Sequence, residues 1–363
     1  FRCCVSSGVP MAPDAGPRPF ISFFITAYRD DGTPQMLACY PSAEELEKSH
    51  PNILHFVRSE ATEEAYLSSF RFKFTLTGGS GEWEYGVCSR GDTSIGRVTL
   101  CFLSPFPWFE FYGKALAVAK QEWAASQTTS FIETLYEQEL PAPGLSVTVR
   151  HQQLPFMLVR PSDDLPLQGV GLQYLFQAFG VTNALALFAC ALEERRVLVC
   201  GDNLELVAAC VFSLAALLTP FRWQNPFIPV LPHGMTDVLC APFPFLIGTH
   251  VANVQGLEGL PTEQIVVADV RTGNFIGADG HVVLPGASSL ANQIEKLLAK
   301  GQTKGKPPTE TELSVRLCFV DWFVSIFGKY RQFMVRQADG AVSWNEDAFL
   351  DYLKNKGTRL YQF

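Results

Sequence analysis

The sequence feature that most limits the fold is an alternation of helices with short apolar strands between residues 172 and 269. Helical patterns cover 172–194 and 204–218, and strands are predicted at 195–200, 226–231, 243–248 and 264–269. These strands are almost continuously apolar, which is typical of a parallel sheet covered on both faces. Because parallel strands need crossover connections, usually helices, this part of the chain is predicted to be a doubly wound α/β unit.

The first part of the chain has a different pattern, in which apolar and polar residues alternate. Phe70, Phe72, Phe74 and Leu76 recur at every second position, which predicts a strand at 69–77 with one buried face. Other strands are predicted at 19–28, 35–40, 82–89 and 97–103, with turns at 29–32 and 78–81 and helices at 42–48 and 109–127. The pattern indicates an α+β lobe in which a strand meander precedes a helix.

Shifts in composition divide the chain of 363 residues into six predicted segments. A flexible leader at 1–17 precedes the α+β lobe at 18–127, and a linker at 128–165 with one short helix precedes the α/β lobe at 166–300. A polar linker at 301–309 leads to a C-terminal helical region at 310–363, with a long helix at 310–335 and two short helical segments at 344–363. The predicted fold class is therefore α/β, with an N-terminal α+β lobe, a doubly wound lobe and C-terminal helices.

Charge, hydropathy and cysteine spacing exclude several function classes. A formal net charge of −8 argues against general binding of nucleic acid, which depends on Lys and Arg. The most apolar stretch, 204–218, is too short to span a bilayer, and no secretory signal peptide is visible. The ten cysteines lack C-x-x-C spacing, which favours buried free thiols in a reducing compartment. We therefore expect a cytoplasmic protein without a transmembrane segment, recruited to membranes only through other regions or partners.

The sequence shows no arrangement of residues that would carry covalent chemistry. G-x-S-x-G and H-x-x-x-H are absent, and the GGSG stretch at 78–81 lacks the Lys-Ser/Thr of a phosphate loop. Gly169 and Gly171 lack the third glycine of a dinucleotide-binding fingerprint. We expect neither a cofactor nor a metal, and we expect binding contacts in loops at strand ends.

Several stretches, taken in order, resemble the DENN domain family. LEERR at 192–196, PFRWQNPFIPVLP at 220–232 and DVLCAPFPFLIG at 237–248 match the fixed positions of the family's central DENN region. VTLCFLSPFPWFEFYGKAL at 98–116 is similar to the end of its N-terminal longin-type region, most of all in the connecdenn branch. Residues 316–335 are similar to the downstream region, so the resemblance covers roughly 18–363. The chain ends before the family's usual last helix, so we expect a truncated module.

The resemblance implies a guanine-nucleotide exchange factor for a Rab GTPase. Such a factor is a regulatory protein that makes no covalent bond, and in this family it seats both switch segments of the Rab between the longin-type and central DENN lobes. The resemblance also implies a role in vesicle trafficking and endocytosis. It implies a cytoplasmic location, with peripheral attachment to endosomal or clathrin-coated vesicle membranes.

Seven residues in loops or near helix ends are the candidates for contact with the Rab. They are Asn183, Asp202, Asn203, Gln224, Asn225, His233 and Gly234. Each has a structural alternative: a helix N-cap for the pair at 202–203, turn residues for 224–225 and 233–234, and a buried amide at 183.

Three other functions stay open at this point. One is a DENN-fold activator of GTP hydrolysis that uses an arginine, for which Arg90, Arg97 and Arg160 are the candidates. Another is a scaffold that binds a Rab without releasing its nucleotide. The third is an enzyme that acts on a small molecule, although no pairing of a nucleophile with a base is visible.

Overall fold

The computed structural model describes twelve stretches of the chain. They are 17–28, 33–58, 71–77, 82–93, 96–126, 129–151, 154–162, 166–254, 265–277, 283–303, 305–336 and 342–355. The predicted turns at 29–32 and 78–81, and leader residues 1–16, lie outside these stretches.

The N-terminal lobe is built on a five-stranded antiparallel sheet with the order β2-β1-β5-β4-β3. Its strands are β1 (Ser22–Tyr28), β2 (Pro34–Tyr40), β3 (Arg71–Thr77), β4 (Trp83–Thr93) and β5 (Gly96–Ser104). Two short helices, α1 (Ala43–Ser49) and α2 (Ile53–Val57), precede β3, and α3 (Phe109–Ser126) follows β5. Phe72 and Phe74 are buried, as the period-two pattern predicts. Among the described strands, β3 pairs with β4 alone, so it forms one edge of this sheet.

The segment predicted as a linker at 128–165 contains more regular structure than we expected. After α4 (Ser130–Tyr136), strands β6 (Ser146–His151) and β7 (Leu154–Val159) pair as an antiparallel hairpin. Val149 and Leu158 are buried, whereas Val147 and Met157 are exposed. The hairpin was not predicted because β7 carries apolar residues on both faces, so that strand shows no alternation, and because Pro155 lies inside it.

The second lobe contains the predicted parallel sheet, and the α/β fold class is confirmed. Its strands are β8 (Arg196–Gly201), β9 (Phe227–Leu231), β10 (Phe245–His250), β11 (Ile265–Asp269) and β12 (Asn274–Ile276). Their order is β12-β11-β8-β10-β9, in which β11, β8, β10 and β9 are parallel and β12 is antiparallel. Helices α5 (Leu172–Leu192) and α6 (Leu204–Leu217) pack into the main core on one face.

The opposite face of this sheet has a separate, smaller apolar cluster. Its buried members are Leu198, Leu231, Leu239, Phe245, Ile247 and Ile265. The 3₁₀ turn Thr236–Cys240 contributes Val238, and the short helix α7 (Val251–Val254) contributes Val254, to the apolar residues packed against it. Among the described residues, this face therefore has short helical turns where the predicted doubly wound pattern has long helices.

Helix α5 is interrupted at Gly180, where the backbone leaves the helical region with φ 70° and ψ 169°. Within the described ranges, it is the one helix whose length and composition would allow it to cross a membrane. In its most apolar window, 61% of the residues are buried inside the fold. The hydrophobic length of α5 is therefore accounted for by core packing.

The C-terminal region differs from the predicted single long helix at 310–335. Helix α8 (Ala287–Thr303) extends into the predicted linker, and α9 (Pro308–Phe327) begins inside it. α9 ends at Phe327, and a 3₁₀ turn (Tyr330–Phe333) leads to the hairpin of β13 (Met334–Arg336) and β14 (Val342–Trp344). Apolar residues at 330–335 continue the helical spacing, but the helix ends at Phe327 with Gly328 as its C-cap. Helix α10 (Glu346–Asn355) occupies the first of the two predicted short segments, and 356–363 lie outside the described residues.

Candidate functional site

The two sheets meet at their edges, where β3 of the first lobe lies beside β9 of the second. The hydroxyl oxygen of Thr75 on β3 donates a hydrogen bond of 2.7 Å to the carbonyl oxygen of Phe227 on β9. The rings of Trp83 and Phe227 stack with their centroids 4.4 Å apart. Thr75 and Phe227 are both buried, so this contact belongs to the interior. We call the region where β3 meets β9 the lobe junction.

Behind the lobe junction, Phe212 on α6 joins the cores of the two lobes. Its ring centroid lies 4.9 Å from that of Phe109 on α3, 5.3 Å from that of Phe227 and 6.4 Å from that of Tyr85 on β4. The Phe212 side chain is fully buried, and burial raises the pKa of Tyr85 well above its usual value. The aromatic contacts therefore place both lobes around one shared core.

At the solvent side of the lobe junction, an ion pair joins the lobes. A guanidinium nitrogen of Arg222 lies 2.9 Å from a carboxylate oxygen of Glu82, and both side chains are about two-fifths exposed. The guanidinium carbon of Arg222 is also 5.1 Å from the ring centroid of Trp83. A pair this exposed contributes little to stability.

Four of the seven candidate residues lie at the two ends of β9. Gln224 and Asn225 come before the strand, and His233 and Gly234 follow it. The Gln224 side chain is exposed and donates from Nε2 to the carbonyl oxygen of Arg222 at 3.0 Å. One pair lies at the N-terminal end of β9 and the other at its C-terminal end, so both are next to the lobe junction.

The loop after β9 has an exposed tip, and hydrogen bonds between side chains fix the base of this loop. Nδ1 of His233 is 2.8 Å from Oδ1 of Asn253, a buried residue whose Nδ2 donates to Oγ1 of Thr249. Gly234 is exposed with a φ of 85°, and a Cβ atom there would meet no other atom within 4 Å. The tip is thus sterically open to an approaching partner.

Asp202 and Asn203 follow β8, two strands away from β9 in the sheet. Oδ1 of Asn203 accepts hydrogen bonds from the backbone N–H groups of Glu205, at 2.9 Å, and Leu206, at 3.3 Å. Asn203 is therefore the N-cap of α6. Asp202 is exposed at the C-terminal end of β8. Nearby, hydrogen bonds from the Arg271 side chain lower the pKa of Asp269.

Replacing Asn203 with alanine is expected to lower the free energy of unfolding by about 1 kcal/mol, because two N–H groups of α6 lose their acceptor. Urea unfolding followed by circular dichroism measures the change. The matched variant Asp202→Ala, which removes an exposed neighbouring side chain, is expected to change it by less than about 0.5 kcal/mol. Equal losses in the two variants would contradict the capping role.

Asn183 lies far from the lobe junction. Its Nδ2 donates 3.1 Å to the carbonyl oxygen of Gly273, in the turn between β11 and β12 at the other end of the sheet. Gly273 has a φ of 70°, and a Cβ there would lie 2.4 Å from the carbonyl oxygen of Ala178 on α5. The Asn183 amide thus joins α5 to this turn, and the structure does not bring it to the four candidates around β9.

The three arginines considered for GTP hydrolysis are all engaged within the fold. Arg90 is buried and donates 2.8 Å to the carbonyl oxygen of Val57. Arg97 makes two hydrogen bonds to the carboxylate of Asp92, at 2.7 and 2.9 Å. Arg160 donates to the carbonyl oxygen of Pro141 at 3.4 Å. These contacts give the hydrolysis alternative no support.

A group of charged residues behind the lobe junction was not predicted from the sequence. Lys73, Glu312 and Arg316 all hydrogen-bond to the backbone of residues 166–172, which we call the junction segment. One signal was available, because a Glu and an Arg four positions apart in an amphipathic helix share one face. Separately, among the residues that the structure describes, no group of three or more His, Cys, Asp or Glu side chains could hold a metal ion.

Comparison with known proteins identifies similar chains. A sequence model of the DENN (AEX-3) domain matches residues 96–273. DENN domain-containing protein 1A of Mus musculus is 30% identical over 295 residues, which are 78% of this chain and 27% of that protein. DENN domain-containing protein 2B of Homo sapiens is 30% identical over 315 residues, covering 81% of this chain and 28% of the relative. DENN domain-containing protein 2D of Homo sapiens is 28% identical over 335 residues, or 88% and 70% of the two chains. This chain therefore spans little more than a quarter of the first two relatives.

Proposed function

Because this chain belongs to the DENN domain family, whose members are Rab exchange factors, we propose that it binds a Rab GTPase and speeds the release of GDP. The observation that carries the proposal is the lobe junction itself. There β3 and β9 lie side by side, and polar loops occur at both ends of β9. A partner docked across this junction would contact both lobes at once.

Nucleotide exchange of this kind requires differential binding and no covalent step. A protein that binds the nucleotide-free GTPase more tightly than the GDP-bound one must, by linkage, weaken GDP binding by the same factor. Shifting a population from 1:99 to 99:1 takes a difference in affinity of about 10⁴, or about 5.5 kcal/mol. An interaction surface with several well-placed contacts is enough to supply it.

The lobe junction supports this function because it is already assembled. The shared core around Phe212 fixes the two lobes relative to each other, so a partner need not order them on binding. β9 has five residues, so the two loops are separated by roughly 15 Å. A standard interface buries about 800 Å² on each partner, which is wide enough to include both loops.

We expect this chain to accelerate GDP release from one or a few Rab proteins and to leave Ras and Arf unaffected. Release of a fluorescent GDP analogue from a panel of GTPases measures this. Gln224→Arg places a long charged side chain on the exposed loop before β9 and is expected to lower kcat/KM at least about tenfold. The matched variant Gln332→Arg, also at an exposed position but in the C-terminal region, is expected to have no effect. If the folded chain accelerates none of the Rab proteins, the proposed function is wrong.

The same panel separates the alternatives. A scaffold would bind a Rab in a pull-down without changing the rate of GDP release, and an activator of hydrolysis would instead raise single-turnover cleavage of GTP.

For localisation we propose the cytoplasm, with peripheral association with endosomal or clathrin-coated vesicle membranes, which cell fractionation would test.

A further inference from the structure

The junction segment at 166–172 is held on one side by a carboxylate from the C-terminal region. Glu312 on α9 accepts four backbone N–H groups: Oε1 from Gly169 at 2.9 Å and Val170 at 3.3 Å, and Oε2 from Gly171 at 3.2 Å and Leu172 at 3.3 Å. Gly169 and Gly171 have positive φ values of 69° and 89°, which let successive N–H groups turn toward one point. The carboxylate also lies at the N-terminus of the 21-residue helix α5, where negative charge is favoured.

Two cations hold the carbonyl groups of the same segment. Lys73 on β3 donates from Nζ to the carbonyl oxygens of Gly169, at 3.0 Å, and Val170, at 3.2 Å. Arg316 on α9 donates to the carbonyl oxygens of Leu167 at 3.3 Å and Pro166 at 2.6 Å. The N-terminal lobe and the C-terminal helix are therefore connected through the backbone of the junction segment.

We propose that Glu312 is a positioning residue through which α9 fixes the N-terminal lobe against the second lobe and so sets the geometry of the lobe junction. The route is short. Glu312 fixes Gly169 and Val170, these two residues fix Lys73, and Lys73 is two positions before Thr75, which bonds to Phe227 on β9. The effect on exchange rests on the proposed function, whereas the effect on lobe geometry does not.

The energetics favour a rigid connection. Glu312 is 6% exposed, and a buried carboxylate is stable only when its oxygens are hydrogen-bonded, as they are here. Its charge also offsets those of Lys73 and the buried Arg316. Burial lowers the pKa of Lys73 to about 8, and the nearby Glu312 carboxylate acts in the opposite direction. Removal of Glu312 would leave four N–H groups without an acceptor, would take from the buried Arg316 its nearby negative charge, and would leave Lys73 with the weaker influence of Glu205.

A cavity next to this contact makes a specific experiment possible. It has a volume of about 660 Å³, it is open to solvent, and Gly169 and Glu312 are among its lining residues. Formate is small enough for this cavity, and we expect it to take the place of the Glu312 carboxylate when that side chain is removed. Rescue by formate would separate the role of the carboxylate from a general loss of packing.

The test uses Glu312→Ala in the full chain, with Glu310→Ala as the matched control, since Glu310 is exposed and two positions earlier on the same helix. In Glu312→Ala, hydrogen exchange is expected to rise in 71–77 and 166–172. The maximal rate of Rab GDP release is expected to fall between about two- and thirtyfold, with the Rab concentration for half-maximal rate unchanged. Formate, but not chloride at equal ionic strength, is expected to reverse both changes. Glu310→Ala should match the unmodified chain.

Unchanged exchange at 71–77 in folded Glu312→Ala, or equal rescue by chloride, would overturn the proposal. If that variant does not fold, Glu312→Gln provides the decision, because one amide oxygen remains as an acceptor. Increased exchange at 71–77 and 166–172 would support the positioning role, and no increase would overturn it. If the unmodified chain releases GDP from no Rab, the proposed function fails, yet hydrogen exchange and formate rescue still decide the role of Glu312.

Discussion

Gly248→Ala is expected to lower the free energy of unfolding by at least about 3 kcal/mol. Gly248 lies in β10, between β8 and β9 of the parallel sheet. A Cβ atom there would be 2.2 Å from the carbonyl oxygen of Pro229 and 2.7 Å from Cγ1 of Val207. Real Cβ atoms do not approach backbone oxygens so closely, so β9 would have to move.

β9 cannot move easily, because it is packed on both sides. β9 is hydrogen-bonded to β10 on one side and lies against β3 at the lobe junction on the other, where Phe227 is packed on Trp83. Displacement of β9 would also move both loops that we propose for Rab binding. Gly248→Ala should therefore abolish GDP release and also lower the free energy of unfolding.

Denaturant unfolding measures the effect, and Gly113→Ala is its matched control. Gly113 lies within α3, has no positive φ, and a Cβ there would meet no atom within 4 Å. Alanine at this position is expected to raise stability by up to about 1 kcal/mol, because it favours the helix more than glycine does. If both alanine variants were as stable as the unmodified chain, the close packing at Gly248 would not be as described.

The sequence predicted the elements of the second lobe well, because its local signals are strong. The apolar strands observed as β8, β9, β10 and β11 are short and bounded by turns, and Asn203 has the residue type and the position of a helix N-cap. The order of the strands was not predictable from these signals. Pairing of β11 with β8 joins residues about seventy positions apart, and the apolar side chains of a strand do not indicate which other strand it will pair with.

The candidate site was predicted in part for the same reason. The residues around β9 lie in one conspicuous motif, so the sequence identified both of its loops, although it did not show that β9 would lie against β3. Glu312 was missed because its partners are backbone N–H groups 140 to 143 positions earlier. Backbone groups are the same in every residue except proline, so no sequence pattern distinguishes these four as ligands.

Phe212→Ala is expected to lower the free energy of unfolding by about 3–5 kcal/mol. The Phe212 side chain is fully buried, and its ring contacts rings from α3, β4 and β9. Truncation would remove these contacts and leave a cavity between the lobes. None of the surrounding elements can easily close it, since each belongs to a different layer that is fixed by its own sheet or helix.

The loss should be visible in the cooperativity of unfolding as well as in its midpoint. In the unmodified chain, amides of β4 and of β10 are expected to lose protection from hydrogen exchange together, because one core serves both lobes. In Phe212→Ala they should lose it at different denaturant concentrations. Phe243→Ala, at a position 47% exposed, is the control and should change stability by less than about 1 kcal/mol. A variant at Phe212 that stayed as stable as this control would show that the lobes adhere mainly through other contacts, and the assembled lobe junction would then need a different physical basis.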